Sequence, residues 1–393
     1  MAEQKTISAT GNSFVATAYR QIAPDAFCAY PITPQTSIAE EFAQYVANGK
    51  VHTEYVAVES EHSALSACIG ASAAGARTVT ATASQGLALM WEELPLAAGL
   101  RLPILMVNTN RALSAPINIH CDHSDVMSAR DTGWVIMFAE NAQEAYDHTI
   151  MGIRIAEEND IPVMPALDGF ITTHSISRGE TMDDETVTKF VGIRKPKHAM
   201  LDKENPVMVG GFASLGNTYI NIKKQLHDVL AHDTLPSIKK IGDEWTALSG
   251  RSFNHVEGWG MEDADEAILI LGSSAGNARA VARALRAEGR KVGIVKLRTY
   301  RPFPAAELVD MLRNVKALAV LDRSDSFGGT AGPLALDTMS ALYEAGVQIP
   351  LRPYIYGLGG SDVTLDLLRS VYDDLADLAN GSVNPGLTYL GIE

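Results

Sequence analysis

The chain has 393 residues, 46% hydrophobic and 20% charged, with a formal net charge of -15. That length suits two or three globular domains with large cores, and the acidity argues against nucleic acid or an anionic membrane as a partner. No apolar run reaches transmembrane length and the N-terminus does not read as a signal peptide, while Cys28, Cys68 and Cys121 lack any CxxC spacing, so free thiols in a reducing cytoplasm are expected.

Taken in order, residues 12–23 predict a helix ended by Pro24, and a short apolar strand follows over 26–30. It runs into Pro31-Ile-Thr-Pro34, where closely spaced prolines stop any regular element and make a stiff turn. A helix over 36–49 and a strand over 54–58 come next. Val58 to Arg77, VESEHSALSACIGASAAGAR, then carries Glu59 and Glu61 into a helix made almost wholly of Ala, Ser, Cys and Gly. Such a helix lets another backbone, a subunit or a cofactor approach closely. The acid at its head reads either as a first-turn capping residue or as a carboxylate held for chemistry.

A strand over 78–82 leads through a turn, ASQG, to a helix expected from about Leu87. The strand 103–108 ends in the long loop TNRALSAPINIHCDHSD, and a helix over 142–157 precedes a strand over 161–167. Alternating helices and near-continuous apolar strands indicate a parallel sheet covered on both faces. The alternation lapses between about 170 and 260, which offers only a strand-like run at 206–210 and a helix near 216–230. It resumes with strands at 267–271, 291–297, 317–321 and 351–355, helices at 277–289, 305–314 and 333–345, and a turn, RTYRPFP. The fold class is therefore α/β, with a second, smaller α/β domain.

Ligands of open α/β sheets sit at the carboxyl ends of the strands. The loops YPITP, VESEH, TASQG and the one beginning at Arg111 all lie at such ends. They offer the Thr33 hydroxyl, the Glu61 carboxylate, the turn Ser84 to Gly86 and the Arg111 guanidinium. A guanidinium fork with a hydroxyl suits a small carboxylate substrate, although a surface salt bridge would equally explain Arg111 alone. His120-Cys-Asp-His-Ser-Asp125 has the residue types of a transition-metal site, but its spacing matches no metal motif and Asp122 or His123 could simply brace the loop. No metal is assigned to it. GSSAGN, GGTAG and GLGGSD make neither GxGxxG nor a P-loop. GSSAGN could hold an anion or merely form a tight turn.

AYPITPQT, VESEHSALSACIGASAAGAR, TASQGLALM and NRALSAPINIHCDHSDVMSARDTGW closely resemble the alpha subunit of multi-subunit pyruvate:ferredoxin oxidoreductases. The resemblance covers most of 12–175 and continues more loosely through RTYRPFP and DRSDSFGG. It implies a pyrimidine-binding thiamine-diphosphate domain over 1–255 and a transketolase-C-terminal-like domain over 256–393, the latter usually serving assembly. It also implies CoA-dependent oxidative decarboxylation of pyruvate to acetyl-CoA and CO2, with electrons passed to ferredoxin.

On the same resemblance, Glu61 matches the family's pyrimidine-binding glutamate. Its carboxylate would hydrogen-bond the aminopyrimidine ring nitrogen and favour the tautomer that removes the thiazolium proton. Thr33 and Arg111 match the substrate-carboxylate contacts, and Pro31, Ser84 and Gln85 are assigned to the cofactor. The chain lacks the Gly-Asp-Gly and later Asn with which thiamine enzymes hold metal and diphosphate; LDGF and GDEW do not supply them. It also has too few cysteines for iron–sulfur clusters. A beta subunit bringing the diphosphate site and Mg2+, and ferredoxin-like gamma and delta subunits with 4Fe-4S clusters, are therefore implied. The rival readings are a subunit acting on 2-oxoglutarate or a branched-chain 2-oxoacid, another kind of thiamine enzyme, and a non-catalytic α/β scaffold.

Overall fold

The apolar runs of the sequence become the strands of two parallel-dominated sheets. The computed structural model describes residues 3–197, 202–206, 217–382 and 386–392. In chain order the strands are β1 (Gln4–Thr10), β2 (Ala26–Ala29), β3 (Glu54–Ala57), β4 (Thr78–Thr82), β5 (Ile104–Asn110), β6 (Val135–Ala139), β7 (Val163–Asp168) and β8 (Ile176–Met182). The second half adds β9 (Val256–Trp259), β10 (Glu266–Ile270), β11 (Val292–Leu297), β12 (Thr299–Arg301), β13 (Ala317–Asp322), β14 (Leu351–Ile355) and β15 (Thr388–Tyr389).

The first sheet has the order β12-β6-β7-β5-β4-β2-β3, and all its pairs are parallel except that of the edge strand β12. Its central strands are buried on both faces, as their unbroken apolar sequences require. One face is covered by helices Gly11–Ile22, Thr36–Ala47 and Ala142–Asn159, whose Phe14, Tyr19, Phe42 and Tyr146 are fully buried. Against the other face lies helix Glu61–Ala73, whose small residues bring its backbone close to β2 and β4. That core continues without a break from Cys68 and Met106 to Leu269 and Val320 of the second sheet, so the two sheets share it. The second sheet has the order β15-β14-β13-β10-β11-β9.

Several expectations are corrected. The helix after TASQG begins at Ser84, not near Leu87, and stops at Leu89 before a short turn and a further helix, Leu94–Gly99. Its start is stabilised from outside, because the Ser84 amide donates to the Asp125 carboxylate at 2.9 Å. RTYRPFP is more than a turn: it contains β12, which pairs antiparallel with β6 and so carries part of the second half into the first sheet. Buried Tyr300 anchors it, its hydroxyl donating to Asp337 at 2.7 Å. The N-terminal strand β1 pairs with β8, a long-range ladder invisible in the polar run QKTISAT. The expected strand at 206–210 falls, apart from Pro206, outside the described residues. The helix near 216–230 is Asn217–Asp228, continuing through a wide turn into Leu235–Ser249.

Candidate active site

Strands β5, β4, β2 and β3 are successive neighbours and mutually parallel, so their carboxyl ends share one edge. The loops YPITP, VESEH, TASQG and the Arg111 loop therefore emerge side by side.

Glu61 opens helix Glu61–Ala73, but it is not the cap. Ser60 has the extended backbone of an N-cap, and its hydroxyl accepts the Ser63 amide at 3.2 Å. Glu59 is also engaged, accepting from the Ser63 hydroxyl at 2.6 Å. Glu61 itself is only 8% exposed. Among the described residues its carboxylate has no hydrogen-bond partner. It lies against Gly86, where an added Cβ would stand 2.8 Å from Glu61 Cγ and 3.0 Å from Oε1. The glycine of TASQG is thus the space in which this acid sits. A carboxylate without a donor among the described residues can accept one from a ligand.

Beside it, buried Asp125 gathers the other loops. Its carboxylate accepts from the Ser84 amide (2.9 Å), the Asn108 side chain (3.0 Å), the Arg111 amide (3.1 Å) and the Val126 amide (2.7 Å). Burial pushes its carboxyl up to about 6 against these donors, which favour ionisation. The Ser84 hydroxyl is buried and donates to the Ala112 carbonyl at 2.6 Å, while Gln85 is half-buried and Pro31 exposed.

Arg111 is mostly buried, and burial lowers its pKa from the ordinary value. Its Nε donates to the Asn118 carbonyl and its Nη1 to the Thr33 carbonyl, each at 3.0 Å. The pairing of Thr33 with Arg111 is therefore real, but it runs through the Thr33 backbone. Thr33 is itself exposed, and Nη2 of Arg111 has no protein acceptor among the described residues. This guanidinium is held from two sides and keeps a free edge, unlike a surface salt bridge.

The HCDHSD loop is tied to the second half of the chain through Asp168 at the end of β7. Its carboxylate accepts from His123 Nε2 (2.8 Å), Arg323 Nη1 (3.2 Å), the Ser273 amide (3.0 Å) and the Ser273 hydroxyl (2.6 Å). Burial alone would raise this carboxyl, but His123 and Arg323 outweigh it and hold the group well below the usual carboxylate range. The GSSAGN turn thus does bind an anion, and that anion is Asp168. Ligand atoms of Cys121, His123 and Asp168 lie within 4.8 Å of one another. Arg323 already supplies the positive charge there, which leaves little case for a cation. Asp168 and Arg323 are organisers of the site that the sequence did not single out, whereas Asp125 and Gly86 lie in HCDHSD and TASQG, where the sequence showed an odd loop and a small-residue turn but not these roles.

Fold and site together define an α/β enzyme subunit with a free carboxylate and a poised guanidinium at one sheet edge. Two family models match: pyruvate flavodoxin/ferredoxin oxidoreductase, thiamine diphosphate-binding, over residues 17–240, and pyruvate:ferredoxin oxidoreductase core domain II over 264–368. A pyruvate synthase subunit PorA of Thermotoga maritima is 48% identical, the match covering 94% of each chain, and one of Methanocaldococcus jannaschii is 42% identical with the same coverage. A ketoisovalerate oxidoreductase subunit VorA of Pyrococcus horikoshii is 43% identical over 93% of this chain and 92% of its own. A solved 2-oxoglutarate:ferredoxin oxidoreductase from Magnetococcus marinus shares the fold with a TM-score of 0.69 at 22% identity, covering 94% of this chain and 65% of that one. A split-gene transketolase aligns with a TM-score of 0.58 at 13% identity. The chain belongs to the pyruvate:ferredoxin oxidoreductase family, whose members here are subunits of larger 2-oxoacid oxidoreductases. Its first half is the thiamine-diphosphate-binding unit. The unpartnered Glu61 carboxylate and the cradle at Gly86 fit the polar ring of such a cofactor. No helix among the described residues is long and apolar enough to cross a membrane.

Proposed function

We propose that this chain is the alpha subunit of a cytoplasmic pyruvate synthase complex. In this reading it binds pyruvate, and CoA receives the acetyl group as CO2 leaves and an electron pair passes to ferredoxin. The observation that carries the proposal is the mostly buried Glu61, whose carboxylate has no donor among the described residues while Ser60 caps the helix. Glu61 holds or receives a proton at the ring nitrogen of the aminopyrimidine, and Gly86 keeps the space open. Pro31, Ser84 and Gln85 shape the walls around that ring. Thiamine diphosphate, when bound, supplies the electron sink for decarboxylation. Arg111 offers its free Nη2 edge to the pyruvate carboxylate, with the exposed Thr33 hydroxyl beside it. Fixing that carboxylate aligns the 2-oxo carbon and lowers the cost of bringing the reactants together.

The remaining parts come from partners: a beta subunit with the diphosphate contacts and Mg2+, and gamma and delta subunits carrying 4Fe-4S clusters towards ferredoxin. The absence from the sequence of a Gly-Asp-Gly motif with its Asn, and the presence of only Cys28, Cys68 and Cys121, support this division. Exposed Leu89, Trp91 and Leu96 follow Gly86 along the chain and suit a subunit face. The test is pyruvate-dependent viologen reduction by the purified complex, parent against Glu61→Gln; parent-like turnover in the variant would remove the basis of the proposal. A branched-chain 2-oxoacid is the second substrate reading, favoured by the 43% identical ketoisovalerate relative. Comparing kcat/KM for pyruvate and 2-oxoisovalerate on the same preparation decides between them.

A further inference from the structure

We infer that the second domain positions the substrate-binding arginine through its turn Gly357-Leu-Gly-Gly360, which makes Asn118, Gly359 and Gly360 positioning residues for 2-oxoacid binding. The inference rests on the reading of Arg111 given above.

The loop from Ala112 to His120 has little core of its own, with Ile117 78% and Ile119 43% exposed. Apolar burial therefore does not fix its path, and hydrogen bonds must. Within the first domain, the Ala112 amide donates to the His120 carbonyl at 3.0 Å. The Ser84 hydroxyl holds the Ala112 carbonyl at 2.6 Å and the Ser124 hydroxyl accepts the Leu113 amide at 2.9 Å, which fixes the loop's start, whereas its Asn118 end is tied to the second domain. The Gly360 amide donates to the Cys121 carbonyl at 2.7 Å, and the Gly359 amide to the Asp122 carboxylate at 3.2 Å. In return the Asn118 side-chain amide donates to the Gly359 carbonyl at 2.9 Å, while its Oδ1 accepts the His120 amide at 2.7 Å. The Asn118 carbonyl, so held, is the acceptor of Arg111 Nε. One continuous chain of contacts thus runs from the Gly357–Gly360 turn through Asn118 to the guanidinium. Arg323, donating to the Gly357 carbonyl at 3.0 Å and to Asp168, anchors the far end.

The glycines are required by this approach. Gly359 and Gly360 have φ values of +57° and +82°, in the left-handed region. A Cβ on Gly359 would stand 2.5 Å from Asn118 Nδ2, and one on Gly360 would overlap His120 Cβ and stand 3.1 Å from its Cγ. Any side chain here pushes the substrate loop away. Gly346 gives the contrast: its φ is +67°, yet it has no neighbour within 4 Å. Alanine at Gly346 imposes comparable backbone strain and displaces nothing.

The experiment uses the assembled complex with Gly360→Ala, Asn118→Ala, Arg111→Ala and Gly346→Ala, measuring kcat and KM for pyruvate, bound thiamine and thermal midpoint. Misdirecting one charge-assisted contact should raise the pyruvate KM about tenfold in Gly360→Ala and Asn118→Ala, with kcat within about twofold and thiamine content unchanged. Gly346→Ala should lower only the thermal midpoint. Asn118→Ala introduces no backbone strain, so it keeps the test available if Gly360→Ala does not assemble. A raised KM in Arg111→Ala with parental KM in Asn118→Ala and Gly360→Ala overturns the positioning inference alone. A parental KM in Arg111→Ala removes the reading of Arg111 on which the inference stands.

Discussion

Two residues carry most of the proposed chemistry. Glu61 was open to two readings from sequence, a first-turn capping residue or a held carboxylate; Ser60 takes the capping bond and leaves Glu61 in the first turn without it. A carboxylate spared from capping and enclosed by Gly86 is free to act on a ligand. Replacing it by an amide of the same shape keeps the packing but removes the proton acceptor. Glu61→Gln should therefore leave assembly intact and reduce pyruvate turnover by on the order of a hundredfold or more, the scale of a positioned acid–base group. Steady-state viologen reduction, with gel filtration of the same sample, reads both. Arg111 presents a different problem, because its Nε and Nη1 are already committed to the Asn118 and Thr33 carbonyls. Lysine can keep the charge but cannot satisfy both carbonyls and still face a carboxylate. Arg111→Lys should lose about 1.5–3 kcal/mol in kcat/KM for pyruvate with unchanged thiamine content. Loss of thiamine instead would move Arg111 to the cofactor side of the site.

At the level of elements, the carboxylate of Asp322 at the end of β13 starts helix Pro333–Glu344. It accepts the Leu334 amide at 2.8 Å and the Ala335 amide at 3.0 Å. Asp322→Ala should cost about 1–2 kcal/mol of stability, as for a lost cap, read as a lower denaturation midpoint. Burial raises the Asp322 carboxyl from 3.8 to about 7, partly offset by those two amides. The folded state therefore binds this proton more readily than the unfolded one, and the group's contribution to stability falls as pH rises from about 4 to about 7. Asp322→Asn should flatten that part of the midpoint-against-pH curve. Unlike this cap, most strands were legible in the sequence, because parallel strands buried on both faces are written as unbroken apolar runs. TVTAT at 78–82 coincides with β4. What the sequence hid has a common cause. β1, β8 and β12 depend on partners far along the chain, and the helix start at Ser84 depends on Asp125. The site followed the same division: the convergence of YPITP, VESEH, TASQG and the Arg111 loop was legible from strand ends. The hubs Asp125 and Asp168 were not, because the donors of each come from three or more separate stretches of chain.

At the scale of the whole molecule, the chain is firm where its own halves meet and unfinished where the cofactor would lie. Asp168, Arg323 and β12 join the two halves through buried bonds and a shared core. The segment that follows Gly86 along the chain, by contrast, exposes Leu89, Trp91 and Leu96, with exposures of 50%, 47% and 47%. The net charge of -15 also opposes a diphosphate unless a cation-bearing surface is added. A ring contact through Glu61 alone leaves the most strongly hydrated part of thiamine diphosphate in water. Binding to the isolated chain should then be weaker than about micromolar, because one such contact cannot offset the lost freedom of the ligand. Titration calorimetry on the separately expressed chain, with and without Mg2+, should show little heat. Adding the subunit that carries the Gly-Asp-Gly motif should restore tight, Mg2+-dependent binding. Glu61→Gln in that reconstituted pair should weaken it. Tight Mg2+-dependent binding by the lone chain would mean that its own residues hold the diphosphate, and the half-site account would fall.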